Sequence, residues 1–337
     1  MEAEARLAGA RLSRGSRWLL PAVLLVLLAV YPLVVPSYLL SLLTEVLIYG
    51  IFAMSLDLLL GYTGLVSFGH AAFFGVGAYV AGITAVRLTP HMGITLPLAL
   101  LGAAVAALII GYLSVRTSGI YFLMLTLAFA QVLYAVAFKW TPVTGGSNGL
   151  SGIPRPALGL VAGGGELADP IRFYFFTLVM FLLVYFGLKR VVGSPFGHTL
   201  VGIRENEARM SAIGYNVARY KLAAFVLAGV LAGLAGALNT YLNVFVSPAL
   251  LNWPTSGQVL VMVIIGGAGT LIGPVLGAGL VLLLQNLVSS QTDRWPMIMG
   301  AVFIIFVLVA RFGMVGIWDR IVGRLARRPG PVLSDES

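Results

Sequence analysis

Apolar stretches alternate with short polar segments along the chain, and their lengths predict helices that cross a membrane. A crossing needs roughly 20 consecutive, mostly apolar residues. Residues 258–288 form an interrupted region, in which "GGAGTLIGP" separates two short apolar arms. The predicted spans outside that region are residues 18–35, 38–60, 70–86, 96–113, 120–138, 173–188, 222–242 and 295–310. Counting the interrupted region as two crossings gives ten membrane segments, and counting it as one gives nine.

The positions of the basic residues favour the even count. With ten crossings and a cytoplasmic N-terminus, 16 of the 21 lysines and arginines fall on the cytoplasmic side and 5 on the other. Nine crossings would place the basic C-terminus outside, against the tendency of lysine and arginine to stay inside. We therefore predict ten segments, or eight spans plus a re-entrant hairpin, with both termini and the loop at residues 189–221 in the cytoplasm. The predicted domains are a basic N-terminal segment at residues 1–17, a transmembrane domain at residues 18–312 and a cytoplasmic tail at residues 313–337.

The composition agrees with this class of protein. Of the 337 residues, 59% are hydrophobic and 10% are charged, whereas a soluble domain carries about 25% charged residues. We therefore predict an all-α polytopic membrane protein. The chain contains no cysteine, which excludes disulfides and thiolate chemistry. The net charge of +9 lies in segments that flank spans, so it does not indicate nucleic-acid binding.

One polar segment within the apolar chain, "GIRENEARMSAIGYNVARYK" at residues 202–221, has the pattern of a helix. The spacing predicts that Ile203, Met210 and Ile213 share one helix face, and that Gly214 stops the helix. A solvated connecting loop is the alternative. We expect the charges of this loop to be solvated, so that the loss of one costs the fold on the order of half a kcal/mol.

Two clusters of glycines interrupt apolar stretches. They are "GYTGLVSFGHAAFFGVGAY" at residues 61–79 and "GGAGTLIGP" at residues 266–274. Broken backbone at membrane depth is tolerated where protein or a water-filled cavity satisfies it, and paired interruptions are typical of a transport pathway. The candidate positions for a pathway or a broken helix are Gly61, Gly64, Ser67, Gly69, His70, Gly266, Gly267, Gly269 and Gly273. The glycines at residues 229–236 have small-xxx-small spacing, which favours plain helix packing.

The sequence contains few groups that could do chemistry. There is no G-x-S-x-G motif, the three histidines have no metal-ligand spacing, and no G-x-x-x-x-G-K-S/T motif is available to bind ATP. We predict no catalytic residue and no metal site. Glu45 and Asp57 lie in the second predicted span and are candidates for an intramembrane function. Their predicted positions near its two ends argue against a proton relay, but an ion-coupled secondary transporter that uses either acid stays an alternative.

Five stretches in order carry a family resemblance. They are "LDLLLGYTGLVSFGHAAFFGVGAYVAG", "RTSGIYFLMLTLAFAQVLYA", "TGGSNGLSGI", the segment from "SPFGHTLVGIRENEARM" to "LAGLAGAL", and "SPALLNWPTSGQVLVMVIIGGAGTLIGPVLGA". Together, from about residue 40 to about residue 312, they resemble the LivM-type permease subunits of bacterial branched-chain amino acid ABC importers. An importer of urea, amides or other amino acids would look very similar.

The resemblance implies a set of partners and a mechanism. It implies a heterodimer with a LivH-type permease in the bacterial cytoplasmic (inner) membrane, two cytoplasmic ATPase subunits that hold ATP and magnesium, and an extracytoplasmic substrate-binding protein. It implies no cofactor in this chain. The polar segment would be the part gripped by an ATPase subunit, because Glu207, Ala208 and Gly214 resemble the EAA–Gly pattern of coupling loops, although Arg209 stands where a second alanine is common. The predicted coupling residues are Ile203, Arg204, Glu205, Glu207, Ala208, Met210, Ile213 and Gly214.

A second polar segment, "TPVTGGSNGLSGIPRP" at residues 141–156, is predicted to face outward. Its glycine, proline and asparagine content is typical of an ordered, turn-rich loop. We expect it to shape the outer mouth or to dock the binding protein, with a merely connecting loop as the alternative. The residues expected to matter are Thr144, Gly145, Gly146, Ser147, Asn148 and Gly149.

Overall fold

The computed structural model describes residues 36–155, 157, 167 and 169–292, together with isolated positions between 294 and 316. The predicted span at residues 18–35 therefore lies wholly outside the described residues, and the one at residues 295–310 lies largely outside them. The same holds for the basic N-terminal segment and for most of the cytoplasmic tail.

The described residues form helices joined by short loops. The helices are α1 Ser37–Asp57, α2 His70–Arg87, α3 Met92–Ser114, α4 Gly119–Lys139, α5 Pro170–Val192, α6 Pro195–Glu205, α7 Glu207–Ala212, α8 Val217–Asn243, α9 Trp253–Gly266 and α10 Ile272–Ser289. The shorter elements are a π-helix at Leu58–Thr63, which continues α1, a helical turn at Thr141–Thr144, and 3-10 turns at Gly146–Asn148 and Pro248–Leu251. Within the described part, six helices are long and apolar enough to cross a membrane: α1 with its π-helical extension, α3, α4, α5, α8 and α10. The predicted class, an all-α polytopic membrane protein, is confirmed.

Each predicted span between residues 38 and 242 coincides with observed helix, although α2, at the predicted span 70–86, is not among the six helices that are long and apolar enough to cross. The interrupted region is also observed as predicted, because α9 and α10 form a hairpin around residues 267–271. Gln258 of α9 donates a hydrogen bond to Gln285 of α10 at 2.8 Å, which fixes the antiparallel pairing. α9 has 14 residues, so it is about 21 Å long at 1.5 Å per residue. It is shorter than the roughly 30 Å hydrocarbon core.

Small residues bring α8 close to α2 and α3. A Cβ atom added at Gly229 would overlap the Ala107 side chain, and one added at Gly236 would overlap the carbonyl of Phe74. At such positions only glycine allows the backbones to approach this closely. The predicted packing function of these glycines is confirmed. The outward side of α3 and α4 exposes large apolar side chains, as expected for helices at the edge of a membrane-embedded bundle.

Three connecting segments lie together at one end of the bundle, which we call the loop end. Residues 193–216 connect α5 to α8, residues 64–69 connect the π-helix to α2, and residues 267–271 connect α9 to α10. Arg204, from the first of these segments, donates a hydrogen bond to the carbonyl of Gly61 in the π-helix. The loop end therefore gathers both glycine clusters and the helical loop.

Other polar segments lie at the opposite end. There the backbone amide of Leu150 donates to the carbonyl of Val246 at 2.8 Å. α4 runs from the loop end to the opposite end. Arg116, which lies just before α4, lines a groove together with Glu207 of the loop end. The 21 residues of α4 then cover about 30 Å before the turn-rich segment at residues 141–155 begins. Within the described residues, the loop at residues 193–216 and the segment at residues 141–155 therefore lie at opposite ends of the bundle. Their sides of the membrane stay a prediction.

Candidate functional site

The helical loop consists of two helices rather than one. α6 begins after Ser194, whose side chain accepts a hydrogen bond from the Gly197 amide, and it ends at Glu205. Asn206 is extended, with φ −158° and ψ 95°, and its side chain accepts a hydrogen bond from the Arg209 amide at 2.8 Å. Asn206 is thus the N-cap of a new helix, α7. An extended residue cannot continue α6, so the chain changes direction here.

This break corrects the prediction of one apolar face. Ile203 lies on α6 and is only 3% exposed, whereas Ile213, at the end of α7, is 63% exposed. Met210 packs back onto α6, because a Cβ at Gly202 would lie 2.8 Å from its sulfur. The predicted shared face is wrong for a physical reason: the capping side chain of Asn206 resets the helical phase between the first residue and the other two.

The predicted helix stop at Gly214 is confirmed. Gly214 has φ +96°, a conformation that side-chain-bearing residues rarely adopt. Its amide donates to the Ser211 carbonyl at 3.0 Å, and the Tyr215 amide donates to the Met210 carbonyl at 3.1 Å. These two bonds make a Schellman motif. The motif leaves Ile213 and Tyr215 exposed at the tip of the loop.

Glu207 forms an ion pair inside the protein. Its Oε2 lies 2.6 Å from Nζ of Lys221, whose side chain is 4% exposed, while that of Glu207 is 50% exposed. Lys221 lies on α8, so the pair ties the start of α7 to the bundle. The expectation that every charge of this loop is solvated and cheap to lose is wrong for Glu207, because its removal would leave a buried ammonium without its partner.

Arg204 also points inward. Its Nη1 donates to the carbonyl of Gly61, and a Cβ added at Gly64 would lie 2.9 Å from its Cγ. Arg204 as a whole residue is exposed, like Glu205 and Ala208, but among these three only Arg204 reaches the π-helix with its side chain. Thus the predicted coupling residues divide into an inward group, with Ile203 and Arg204, and an outward group at the tip of the loop.

The two glycine clusters, predicted separately, touch each other. The first includes the end of the π-helix and its C-cap, Gly64, with φ +76°, and the second includes Gly267 and Gly269 with φ +111° and +82°. The Gly269 amide donates to Oδ1 of Asp57 at 2.7 Å, and a Cβ at Gly61 would overlap the Gly269 amide nitrogen. Both predicted interruptions are observed as breaks in regular α-helix. We call residues 58–69 the first break and residues 267–271 the second break. Their contact joins residues 212 positions apart, which no local pattern could reveal.

The remaining predicted pathway residues lie at the start of α2 and within the α9–α10 hairpin. His70 and Ser67 are fully buried. Nε2 of His70 lies 2.8 Å from Oγ of Ser55, and the ring stacks on Phe52. Ser256 of α9 accepts a hydrogen bond from the second residue of α2, Ala71, at 2.9 Å. These polar contacts tie α1, α2 and α9 together behind the glycine breaks.

Close backbone approach explains three further predicted glycines. A Cβ at Gly69 would overlap the carbonyl of Thr126, and Cβ atoms at Gly266 and Gly273 would clash with the backbone across the α9–α10 turn. Each of these glycines therefore holds neighbouring elements in contact.

The turn-rich segment at the opposite end is ordered, as predicted. Gly145, Gly146 and Gly149 all have positive φ. Oγ1 of Thr144 donates to the carbonyl of Ala137 in α4 at 2.6 Å, which fixes the first turn. Ser147 and Asn148 are exposed at its tip. Of the predicted residues, these two side chains are the ones presented to the outside of the bundle.

The chain is similar in sequence to known transport proteins. Sequences described as the high-affinity branched-chain amino acid transport system permease protein LivM of Escherichia coli K12 and of Salmonella typhimurium LT2 are each 29% identical over 330 aligned residues, covering 87% of this chain and 77% of theirs. A protein of Methanocaldococcus jannaschii described as a probable branched-chain amino acid transport permease is 24% identical over 266 residues, with coverage of 68% and 75%. No solved structure gives a significant match. The sequence model of the family "Branched-chain amino acid transport system / permease component" matches residues 38–309, and the chain therefore belongs to this family of transport permeases.

Proposed function

We propose that the chain is the membrane-spanning permease subunit of an ABC importer that carries branched-chain amino acids. A separate extracytoplasmic protein binds the substrate and delivers it, and ATP is hydrolysed with magnesium on two cytoplasmic ATPase subunits. The observation that carries the proposal is the family match, because it extends over the whole described bundle and both glycine breaks. The absence of a P-loop from the sequence agrees with hydrolysis on other subunits.

The outward group of the loop is the proposed contact for an ATPase subunit. Ile213 is 63% exposed and Tyr215 is 40% exposed, and they flank the glycine that ends α7. Exposed apolar side chains on an otherwise polar loop are typical of a protein contact. Beside them runs a groove of about 580 Å³, lined among others by Arg116, Glu207 and Asn216. We therefore propose that Ile213 and Tyr215 contact the ATPase subunit, in place of the predicted face that included the buried Ile203.

We infer a topology from the same contact. If an ATPase subunit binds the loop tip, the loop end is cytoplasmic and the turn-rich segment at residues 141–155 faces outward, where it meets the binding protein. The proposed topology has ten membrane segments, of which α9 is a short arm, and both termini are in the cytoplasm. The proposed location is the bacterial inner membrane, with a second, LivH-type permease as the partner within the bilayer.

The test is transport by a reconstituted complex. The chain, the second permease and the ATPase subunits are assembled in vesicles, and uptake of leucine, isoleucine and valine is measured with the binding protein outside and ATP inside. Uptake that needs all of these components supports the proposal. Uptake of urea or an amide in place of these amino acids would show that the proposed substrate is wrong. Ion-driven uptake by this chain alone would overturn the assignment to an ABC importer.

A further inference from the structure

We propose that Arg204 and Asp57 link the ATPase-contacting loop to both glycine breaks, so that movement of α6 and α7 changes the separation of the breaks. This inference rests on the proposed function. It names Arg204 and Asp57 as positioning residues for transport: neither needs to touch the substrate. Three segments far apart in sequence meet at this one point.

The geometry places the guanidinium of Arg204 between the two breaks. On one side, Nη1 donates to the carbonyl of Gly61 in the first break. On the other side, a Cβ built on Gly269 of the second break would lie 3.7 Å from the same Nη1. Among the described residues, Arg204 is the basic side chain that lies against both breaks.

Asp57 joins the second break to the first. It is the last residue of α1, it is fully buried, and its Oδ1 accepts the hydrogen bond from the Gly269 amide. Its other oxygen, Oδ2, is buried without a hydrogen-bond partner among the described residues. Arg204 and Asp57 lie against the same two glycines, Gly61 and Gly269. Because both side chains meet at these glycines, we infer that Oδ2 of Asp57 is the second partner available to Arg204 when it leaves the Gly61 carbonyl.

The contact between the breaks is tight enough to transmit movement. A Cβ at Gly61 would overlap both the Gly269 amide and Oδ1 of Asp57, so the backbones of the two breaks touch directly. Packed backbones of this kind shift between discrete arrangements instead of deforming gradually. A displacement of one break is therefore passed to the other.

The two helices of the loop, α6 and α7, pack on each other. α7 is packed onto α6 through Met210 and Gly202, so a pull on the tip of the loop reaches α6. Arg204 stands one residue before the end of α6, and its aliphatic part lies against Gly64 of the first break. Among the described residues, the loop is therefore hydrogen-bonded to the first break through the Arg204 side chain.

The experiment uses the reconstituted complex with Arg204→Gln, Asp57→Asn and the double variant. Each variant is expected to retain the ATPase subunits and to hydrolyse ATP, while uptake falls at least about ten-fold, because hydrolysis is no longer converted into movement of the breaks. The double variant is expected to be no worse than the more severe single variant, since both changes interrupt the same link. Arg204→Lys is expected to restore part of the uptake. Arg190→Gln, at the exposed end of α5, is the charge-matched control and is expected to transport normally.

A distance measurement separates linkage from simple stability. The chain has no cysteine, so spin labels attached through Val66→Cys and Ala268→Cys are the only labels on this chain, and they report the separation of the two breaks once the partner subunits are made cysteine-free. ATP binding is expected to change this distance with native Arg204 and to leave it unchanged with Arg204→Gln. Normal uptake by Arg204→Gln, or an unaltered response of the distance, would overturn the inference while the proposed function stands. A complex with native Arg204 and Asp57 that shows no ATP-dependent uptake would overturn both.

Discussion

Removal of the Glu207 carboxylate tests whether the ion pair with Lys221 holds α7 in place. Losing one member of a fully buried pair costs about 3–5 kcal/mol. Half of the Glu207 side chain is exposed, so water can reach Lys221 after truncation, and we expect Glu207→Ala to destabilise the docked loop by about 2 kcal/mol. That corresponds to a roughly 30-fold increase in the population of the undocked loop.

Limited trypsin cleavage of the purified permease measures this population. Arg209, within α7, becomes a better substrate when the helix opens, and the cleavage rate follows the open population when reclosing is fast. We expect Glu207→Ala to be cut there about 30 times faster. Glu205→Ala removes the same charge from an exposed position and is expected to change the rate little.

A compensating variant distinguishes the ion pair from lost packing. Replacement of a buried ion pair by apolar residues of similar size is often neutral for stability. Glu207→Ala combined with Lys221→Met is therefore expected to return cleavage most of the way to the unmodified rate. Equal cleavage of Glu207→Ala and the unmodified protein would refute the argument, as would a double variant that is cut as fast as Glu207→Ala.

Further predictions concern glycines, the outer loop and sidedness. Gly214→Val is expected to cost the Schellman turn about 1–3 kcal/mol because of its positive φ and to abolish stimulation of ATPase activity by loaded binding protein, while Gly214→Asn, which tolerates this conformation, keeps more of it. Gly236→Ala is expected to reduce the yield of folded protein by its clash with the Phe74 carbonyl, whereas Gly187→Ala, with open space around it, keeps or raises thermal stability. Ser147→Cys is expected to crosslink to the binding protein, and normal transport after replacement of residues 144–149 by a plain linker would contradict a docking function. Reporter fusions after Gly330 and near Gly146 are expected to report opposite sides of the membrane, and equal signals would contradict the even count.

The sequence predicted the parts of the fold that depend on local composition. The spans were visible because each helix must bury about 20 apolar residues in the hydrocarbon core, and the glycine breaks were visible because glycine and proline disrupt such runs. The stop at Gly214 followed from the rarity of positive φ in other residues. All three features depend on residues within a few positions of each other.

The errors arose where a distant contact or a capping bond decides the structure. Asn206 could equally continue a helix or cap one, and its hydrogen bond to the Arg209 amide selects the second. Lys221 was assigned to a solvated loop, although it lies within the first turns of α8 and is buried against Glu207. The contact of Asp57 with Gly269 depends on how α1 packs beside the α9–α10 hairpin. A hint of it was present in the sequence, since an acid next to one glycine cluster needs a partner when it is buried.

The division of the loop into two sides changes how mutations in it should be interpreted. In the proposed complex, Ile213 of the exposed tip contacts an ATPase subunit, so its replacement should weaken retention of that subunit. Arg204 contacts the breaks, so its replacement should leave retention intact and uncouple hydrolysis from uptake. Glu207 belongs to both the inward and the outward group, because its carboxylate binds Lys221 while half of its side chain is exposed to solvent. Loss of uptake in Glu207→Ala alone therefore does not identify an ATPase contact. That conclusion requires the double variant with Lys221→Met, in which the loop is docked again and any remaining loss of uptake is attributable to the missing outward contact.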